Sequence, residues 1–185
     1  MKIKGIRIEL VAIVLIIALG LFFGGQYYYN NYRLENSLTN SLMQIEGIEK
    51  VEIKNVNEIK EVKLTLTNVK MLKEIYQKAD RRLIDKFGSK NYTIKLNNSP
   101  NQKLMTAYQR VHLSVYESII TGEFTKMDAR LKKIKEDLDI HKAEVSVDEE
   151  NIYLELEDKN ANFYKVISRE HGMNRFAFQG GGANA

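Results

Sequence analysis

Leu10-Val-Ala-Ile-Val-Leu-Ile-Ile-Ala-Leu-Gly-Leu-Phe-Phe23, continued by Gly24-Gly25-Gln26 and Tyr27-Tyr28-Tyr29, is the stretch on which the reading of this chain turns. From Leu10 to Tyr32 there is no charged residue. A helix rises about 1.5 Å per residue, so roughly 20 apolar residues cross a bilayer core of about 30 Å. The tyrosines fall at the exit, where amphipathic rings favour the headgroup layer. Lys2, Lys4 and Arg7 precede the run against one acid, Glu9. That bias holds an N-terminus in the cytoplasm. The pattern predicts a cytoplasmic N-terminus over 1–9 and a transmembrane helix over 10–32. The protein is then expected in the cytoplasmic membrane, single-pass, with an extracytoplasmic domain over 33–170.

Two other readings compete for the same residues. A cleaved signal peptide has a basic start, a short apolar middle and a small-x-small site. Ala18-Leu19-Gly20 is the one candidate site, but Leu21-Phe22-Phe23 carry the apolar run through it. Gly5-Ile6-Arg7-Ile8-Glu9-Leu10 resembles the type IV pilin start, a Gly cleavage site followed by an apolar residue, a Glu and a long apolar helix. Here the Glu stands four residues after the Gly, where the pilin pattern has five. The resemblance implies a pilin-like protein. With no Cys in the chain, a lipid anchor of the lipoprotein type is excluded.

Outward from this segment, composition narrows the classes. Setting aside Lys2, Lys4, Arg7 and Glu9 leaves 25 bases against 23 acids, with the signs interspersed. No basic stripe marks a nucleic-acid surface, so nucleic acid is not an expected partner. Zero Cys means that packing alone holds the remaining residues, about one domain's worth.

The apolar periods then switch repeatedly. Leu34, Leu38, Leu42 and Ile45 recur at helical spacing up to Gly47. Ile48-Glu-Lys-Val-Glu-Ile53 and Val62-Lys-Leu-Thr-Leu-Thr67 alternate as half-buried strands, with turn residues at Asn55-Val-Asn-Glu58. Asn68 is placed to cap a helix carrying Leu72, Ile75, Ala79, Leu83 and Phe87, closed by Gly88. Tyr92-Thr-Ile-Lys-Leu96 follows, then the loop Asn97-Asn98-Ser99-Pro100. Two helices come next, one over about 101–120 and one carrying Phe124, Met127, Leu131, Ile134 and Leu138. Thr125 and Asp128 read as an acidic capping box for the second. A hairpin, Ala143–Val147 and Ile152–Glu157, turns at Asp148-Glu-Glu-Asn151, and Phe163–Ile167 adds a strand. Residues 171–185, ending in Gly180-Gly181-Gly182, are expected to be a flexible Gly-rich tail. The fold class is α+β: a transmembrane helix, then helix–strand–strand–helix–strand, two helices and a C-terminal β-hairpin.

The order helix–strand–strand–helix–strand over Leu34 to Leu96, with Ile45-Glu-Gly-Ile-Glu-Lys-Val-Glu-Ile53 at its head, resembles the ring-building domains of bacterial secretion and sporulation channels. The resemblance implies a ring-forming subunit. It transfers no site residues.

The search for chemistry yields no catalytic, cofactor-binding or metal-binding candidates. His112, His141 and His171 lie in a helix, a helix–strand junction and the tail, and none has a second His or a carboxylate at ligand spacing. No Gly-rich phosphate loop and no Gly-x-Ser-x-Gly elbow occurs. Glu155, Glu157 and Asp158 alternate with Ile152, Leu154 and Leu156 and read as the wet face of a strand. Arg81-Arg82 and Lys132-Lys133 read as solvated helix faces, and the tyrosines as core. Phe176 and Phe178, two aromatics in the tail, are the candidate partner contacts, because exposed aromatics cost solubility unless they dock. No enzyme and no cofactor is expected. The expected function is that of a membrane-anchored assembly or scaffold protein of a bacterial envelope, acting by protein–protein association with other envelope proteins or with its own copies. A sensor or ligand-binding domain is the alternative.

Overall fold

The computed structural model describes residues 2–3, 6–57, 59–89 and 91–169, with side chains at 13–22 and from 36 onward within those ranges. The chain is α+β. Two short strands, β1 (Lys2–Ile3) and β2 (Ile6–Arg7), pair antiparallel ahead of helix α1 (Ile8–Met43). α1 merges the apolar stretch and the segment around Leu38 and Leu42 into one helix.

Among the described residues no helix is long and apolar enough to cross a membrane. The described apolar side chains here are those of residues 13–22, ten residues, or about 15 Å of rise against a bilayer core of about 30 Å. The uncharged count from Leu10 to Tyr32 overstated the segment. Its unbroken apolar part, Leu10 to Phe23, is fourteen residues, and Gly24-Gly25-Gln26 interrupts it. The transmembrane helix over 10–32, the single-pass localisation, the inside N-terminus and the extracytoplasmic placement are therefore corrected. The tail over 171–185, with Phe176 and Phe178, lies outside the described residues.

β3 (Ile48–Val56), β4 (Ile59–Leu66), α2 (Leu72–Phe87) and β5 (Tyr92–Asn97) follow α1. β3 and β4 pair antiparallel through a turn in which Asn57 takes φ +49°, and β4 and β5 pair parallel across the α2 crossover. One face of this sheet is apolar. Val51, Leu64 and Leu96 share a row, as do Ile53, Val62 and Ile94, and both rows pack under α2 and the end of α1. The opposite face carries Lys50, Thr65 and Asn97, then Glu52, Lys63 and Lys95, and is open.

α3 (Gln102–Thr121) and α4 (Phe124–Leu138) form a helical hairpin, broken at Gly122 in the left-handed region, φ +73°. Asn101 caps α3, accepting from the Leu104 amide at 3.0 Å. The capping box expected at Thr125 and Asp128 is not formed, since α4 already starts at Phe124 behind Glu123. Asn68 likewise does not cap α2: it sits at φ +48°, and the helix begins four residues later, at Leu72 behind Met71.

The last three strands, β6 (Lys142–Val147), β7 (Asn151–Asp158) and β8 (Ala161–Ser168), make an antiparallel meander with β7 in the centre. Its two faces are both covered. Ile152, Leu154, Leu156, Phe163 and Ile167 pack against α3 and α4. Tyr153, Tyr164 and Val166 face the other way and join the core of the first sheet. Five consecutive residues of β7, Ile152 to Leu156, are consequently buried, and Asp158 with them.

Candidate strand-binding cleft

The meeting of the two sheets creates a fork between their edge strands. Neighbours in the first sheet run β3-β4-β5 and in the second β6-β7-β8, so β5 and β8 are both edges. Just beyond β5, Ser99 pairs antiparallel with Asn162 at the start of β8, exchanging backbone bonds of 3.2 Å in each direction. One step further in, direct pairing has already been lost. The Asn98 side chain bridges instead, donating from Nδ2 to the Tyr164 carbonyl at 3.0 Å and accepting the Tyr164 amide on Oδ1 at 2.8 Å. An amide side chain thus stands where a strand backbone would. Further along, no backbone bond joins the two strands among the described residues, and a cleft of about 350 Å³ opens between Ile94–Leu96 and Phe163–Val166, with Tyr76 of α2 in its lining.

Backbone alternation shows which groups face this cleft. The Arg169 amide bonds to Glu150 across the β7 side, so odd-numbered residues of β8 point to β7 and even-numbered ones to the edge. Asn162 and Tyr164 are engaged by Ser99 and Asn98; Val166 and Ser168 continue the same row. On β5 the Asn91 carbonyl accepts from Lys60 of β4 at 2.9 Å, which directs Tyr92, Ile94 and Leu96 outward by the same rule. The cleft therefore has peptide groups along both walls. Its α2-facing side is apolar, built from Tyr76, Ile94, Leu96, Tyr164 and Val166, which all join one core cluster.

Two polar clusters hold this geometry. Lys142 on β6 and Glu155 on β7 form a buried ion pair, Nζ to Oε2 2.6 Å. Lys142 also donates to the Val69 carbonyl at 3.0 Å, and Glu155 Oε1 accepts the Leu72 amide at 2.8 Å. Met71 offers α2 no side-chain cap. The carboxylate reaches in from 83 residues away to supply the acceptor, and its charge suits the positive end of the helix. Burial works against the Lys142 ammonium, but the hydrogen bond and charge of Glu155, with Glu157 and Glu144, outweigh it and hold its pKa above the ordinary value. Burial raises the pKa of Glu155, only partly offset by Lys142 and the Leu72 amide. We take the pair as ionised at neutral pH, because both charges have short hydrogen bonds. Glu155 is 2 % exposed and Asp158 7 %; the wet-face reading of these acids is corrected, because α2 covers the one and Asn101, bonded to it at 2.7 Å, the other.

The second cluster surrounds Tyr76. Its ring meets Tyr153 edge-on, centroids 5.7 Å apart, and burial, then Asp80 and Glu150, push its hydroxyl up to about 12. Beside it a concavity of about 470 Å³ is lined by Gln77, Asp80, Arg81, Glu150 and Asn151 among others. Two of its acids are already engaged. Asp148 accepts from Tyr153 at 2.7 Å, Gln77 at 2.7 Å and the Glu150 and Asn151 amides, and Asp80 accepts from the Tyr92 hydroxyl at 2.5 Å. This concavity braces α2 against the β6–β7 turn.

His112 lies along α3, its Nδ1 2.7 Å from the Gln109 carbonyl, and His141 is exposed before β6; His171 lies outside the described residues. Among the described residues no group of three acids or histidines converges as a metal would require. Phe176 and Phe178, the candidate partner contacts, lie outside the described residues. The sequence reads the residues that line the cleft as two separate strands, 92–96 and 163–167, with Tyr76 as core and Asn98 as loop. Asn98 was legible only as part of a turn, although a short amide beside a strand end is the residue type that can stand in for a missing strand. No family model, curated protein or solved structure matches this chain.

Proposed function

We propose that this protein is an association module that binds other proteins and does not catalyse a reaction, and that it does so by accepting an extended segment at the β5–β8 fork. The observation that supports the reading is the graded opening of that fork: a backbone bridge at Ser99 and Asn162, an amide surrogate at Asn98, then outward peptide groups with no bridge. Strand addition uses such edges, with main-chain hydrogen bonds supplying affinity and side-chain pockets specificity. Edge strands left open in this way invite pairing, and proteins that do not use them blunt or cover them.

The test is site-specific photo-cross-linking of the full chain in the cells that produce it. A photoreactive residue at Ile94 or Val166 is expected to give adducts of discrete mass, and one at exposed Lys132 on α4 none. Val166→Pro should abolish the Ile94 adducts while leaving the fold intact, because the amide it removes faces the cleft and not β7. Adducts of equal yield at all three positions, or none at Ile94 and Val166, would overturn the reading.

A further inference from the structure

The two sides of the fork differ, and the difference specifies a class of occupant. The even-numbered residues of β5 and β8 that line the cleft face α2 and are apolar: Ile94, Leu96, Tyr164 and Val166. Odd-numbered residues face the other way, and those that line the cleft there are Lys95, Phe163 and Lys165. A strand lying between β5 and β8 would send alternate side chains to these two sides. One set would meet the apolar floor at Tyr76. The other would lie between two lysines.

One of the two lysines has a carboxylate partner and the other has none. Lys95, 57 % exposed, forms an ion pair with Glu61 at 2.5 Å. Lys165 is engaged by an uncharged group, its Nζ bonded to the Tyr108 hydroxyl and 4.5 Å from that ring's centroid. Among the described residues no carboxylate pairs with it. A carboxylate arriving on the inserted strand would meet both cations at the mouth of the cleft. A basic residue there would face Lys165, a like charge that no carboxylate offsets among the described residues, which penalises the wrong partner as well as rewarding the right one.

Resting on the strand-capture reading above, we propose that the fork selects an extended segment of a partner protein in which apolar and acidic residues alternate. Captured in this way, the segment joins the two three-stranded sheets into one continuous sheet, its apolar residues on Tyr76, Ile94 and Val166 and its acids between Lys95 and Lys165. The mean spacing of paired strands is about 4.8 Å, so one inserted strand needs the two edges about two spacings apart.

The experiment uses the full chain with two fluorescent heptapeptides, Glu-Val-Glu-Val-Glu-Val-Glu and Lys-Val-Lys-Val-Lys-Val-Lys, followed by anisotropy and amide hydrogen exchange. The acidic peptide is expected to bind about tenfold more tightly, the size that a few exposed charge pairs supply. The preference should shrink with added salt. Lys95→Glu with Lys165→Glu should reverse it, while exchange at Val166 and Ser168 slows on binding. Lys165→Gln serves as the milder variant should the double reversal fail to fold, and should lower the preference by a smaller factor. Equal affinity for the two peptides with slowed exchange at Val166 would overturn the acidic partner and leave strand capture standing. Slowed exchange at β3 or β6 alone, or no binding of either peptide, would overturn both.

Discussion

Glu155 and Lys142 show how one side chain decides the relation between distant parts of this chain. Glu155 is buried and Lys142 partly so, each has its charge compensated by the other, and together they tie β6 and β7 to the start of α2. Removing one partner of a buried pair leaves an uncompensated charge and costs about 3–5 kcal/mol. Lys142→Met should lose that much in urea unfolding at neutral pH, and the loss should lessen in acid. The sign follows from Glu155, whose folded pKa lies above its ordinary 4.5: the protonated acid is the favoured buried form, so stability falls as pH rises through that value. Lys142→Met with Glu155→Gln, which keeps an acceptor for the Leu72 amide, should recover much of the loss. A double variant no more stable than Lys142→Met would show the pair to be incidental. Asp148 has the opposite sign. Burial raises its pKa, but bonds from Tyr153, Asn151, Gln77 and Glu150 outweigh burial and leave it below the ordinary 3.8. Its contribution is present above that value and is lost as pH falls through the folded pKa. Asp148→Asn should therefore flatten the acid limb of the stability profile, as compared by denaturant titration at about pH 3 and about pH 6. An unchanged acid limb would assign that limb to other carboxylates.

Among the elements, the junction of α1 with β3 is the most constrained. Gly47 takes φ +97°, and a Cβ there would run into Ile75 Cδ1 on α2. Gly122 also takes a positive φ, +73°, but nothing lies within 4 Å of its Cβ position. The two glycines separate backbone strain from collision. Gly122→Ala should cost about 1–2 kcal/mol from the left-handed backbone alone. Gly47→Ala should cost more, by about 1–3 kcal/mol for forcing an extra methyl into a packed site. Calorimetric melting of the two variants checks the ordering; Gly47→Ala melting at or above Gly122→Ala would mean that α2 yields without cost. β7 makes a related point. Its alternation shows which residues share a face, while its burial on both sides comes from α2 and Tyr76 on one side and the α3–α4 hairpin on the other.

In the molecule as a whole, two apolar clusters meet across β7 and β8. Tyr153 and Tyr164 belong to the cluster under the first sheet, while Leu154 and Phe163 beside them belong with α3 and α4. A shared central strand couples the two halves, so thermal unfolding is expected to be a single transition, with amides of β4 and α3 losing protection together in rising denaturant. Tyr153→Ala removes a fully buried ring and a bond to Asp148, costs about 3–5 kcal/mol, and should make the two sets of amides separate. Two transitions already present in the unaltered chain would show that the halves fold independently. Legibility from sequence followed the same division. Leu72, Leu83, Val115, Leu131 and Leu154, each on a periodic apolar face, are fully buried. Phe87 and Val145, on the same kind of face, are only half-buried because they stand at element ends or on an edge strand. The cleft was not legible, since it is made of residues more than sixty positions apart whose individual patterns are those of ordinary edge strands.

The sequence by itself determined the α+β class, the order and approximate bounds of the elements from β3 onward, and the apolar faces, because these depend on local period and on turn glycines. It misjudged the membrane reading by counting uncharged residues where the physical requirement is unbroken apolar length. Tertiary structure alone decided the parallel pairing of β4 with β5, the burial of Glu155 and Asp158, and the fork between β5 and β8. Each of these depends on what lies across from a strand. Alternation along one chain records which side chains point the same way, but whether water, a helix or an empty edge faces them is fixed only when distant segments pack.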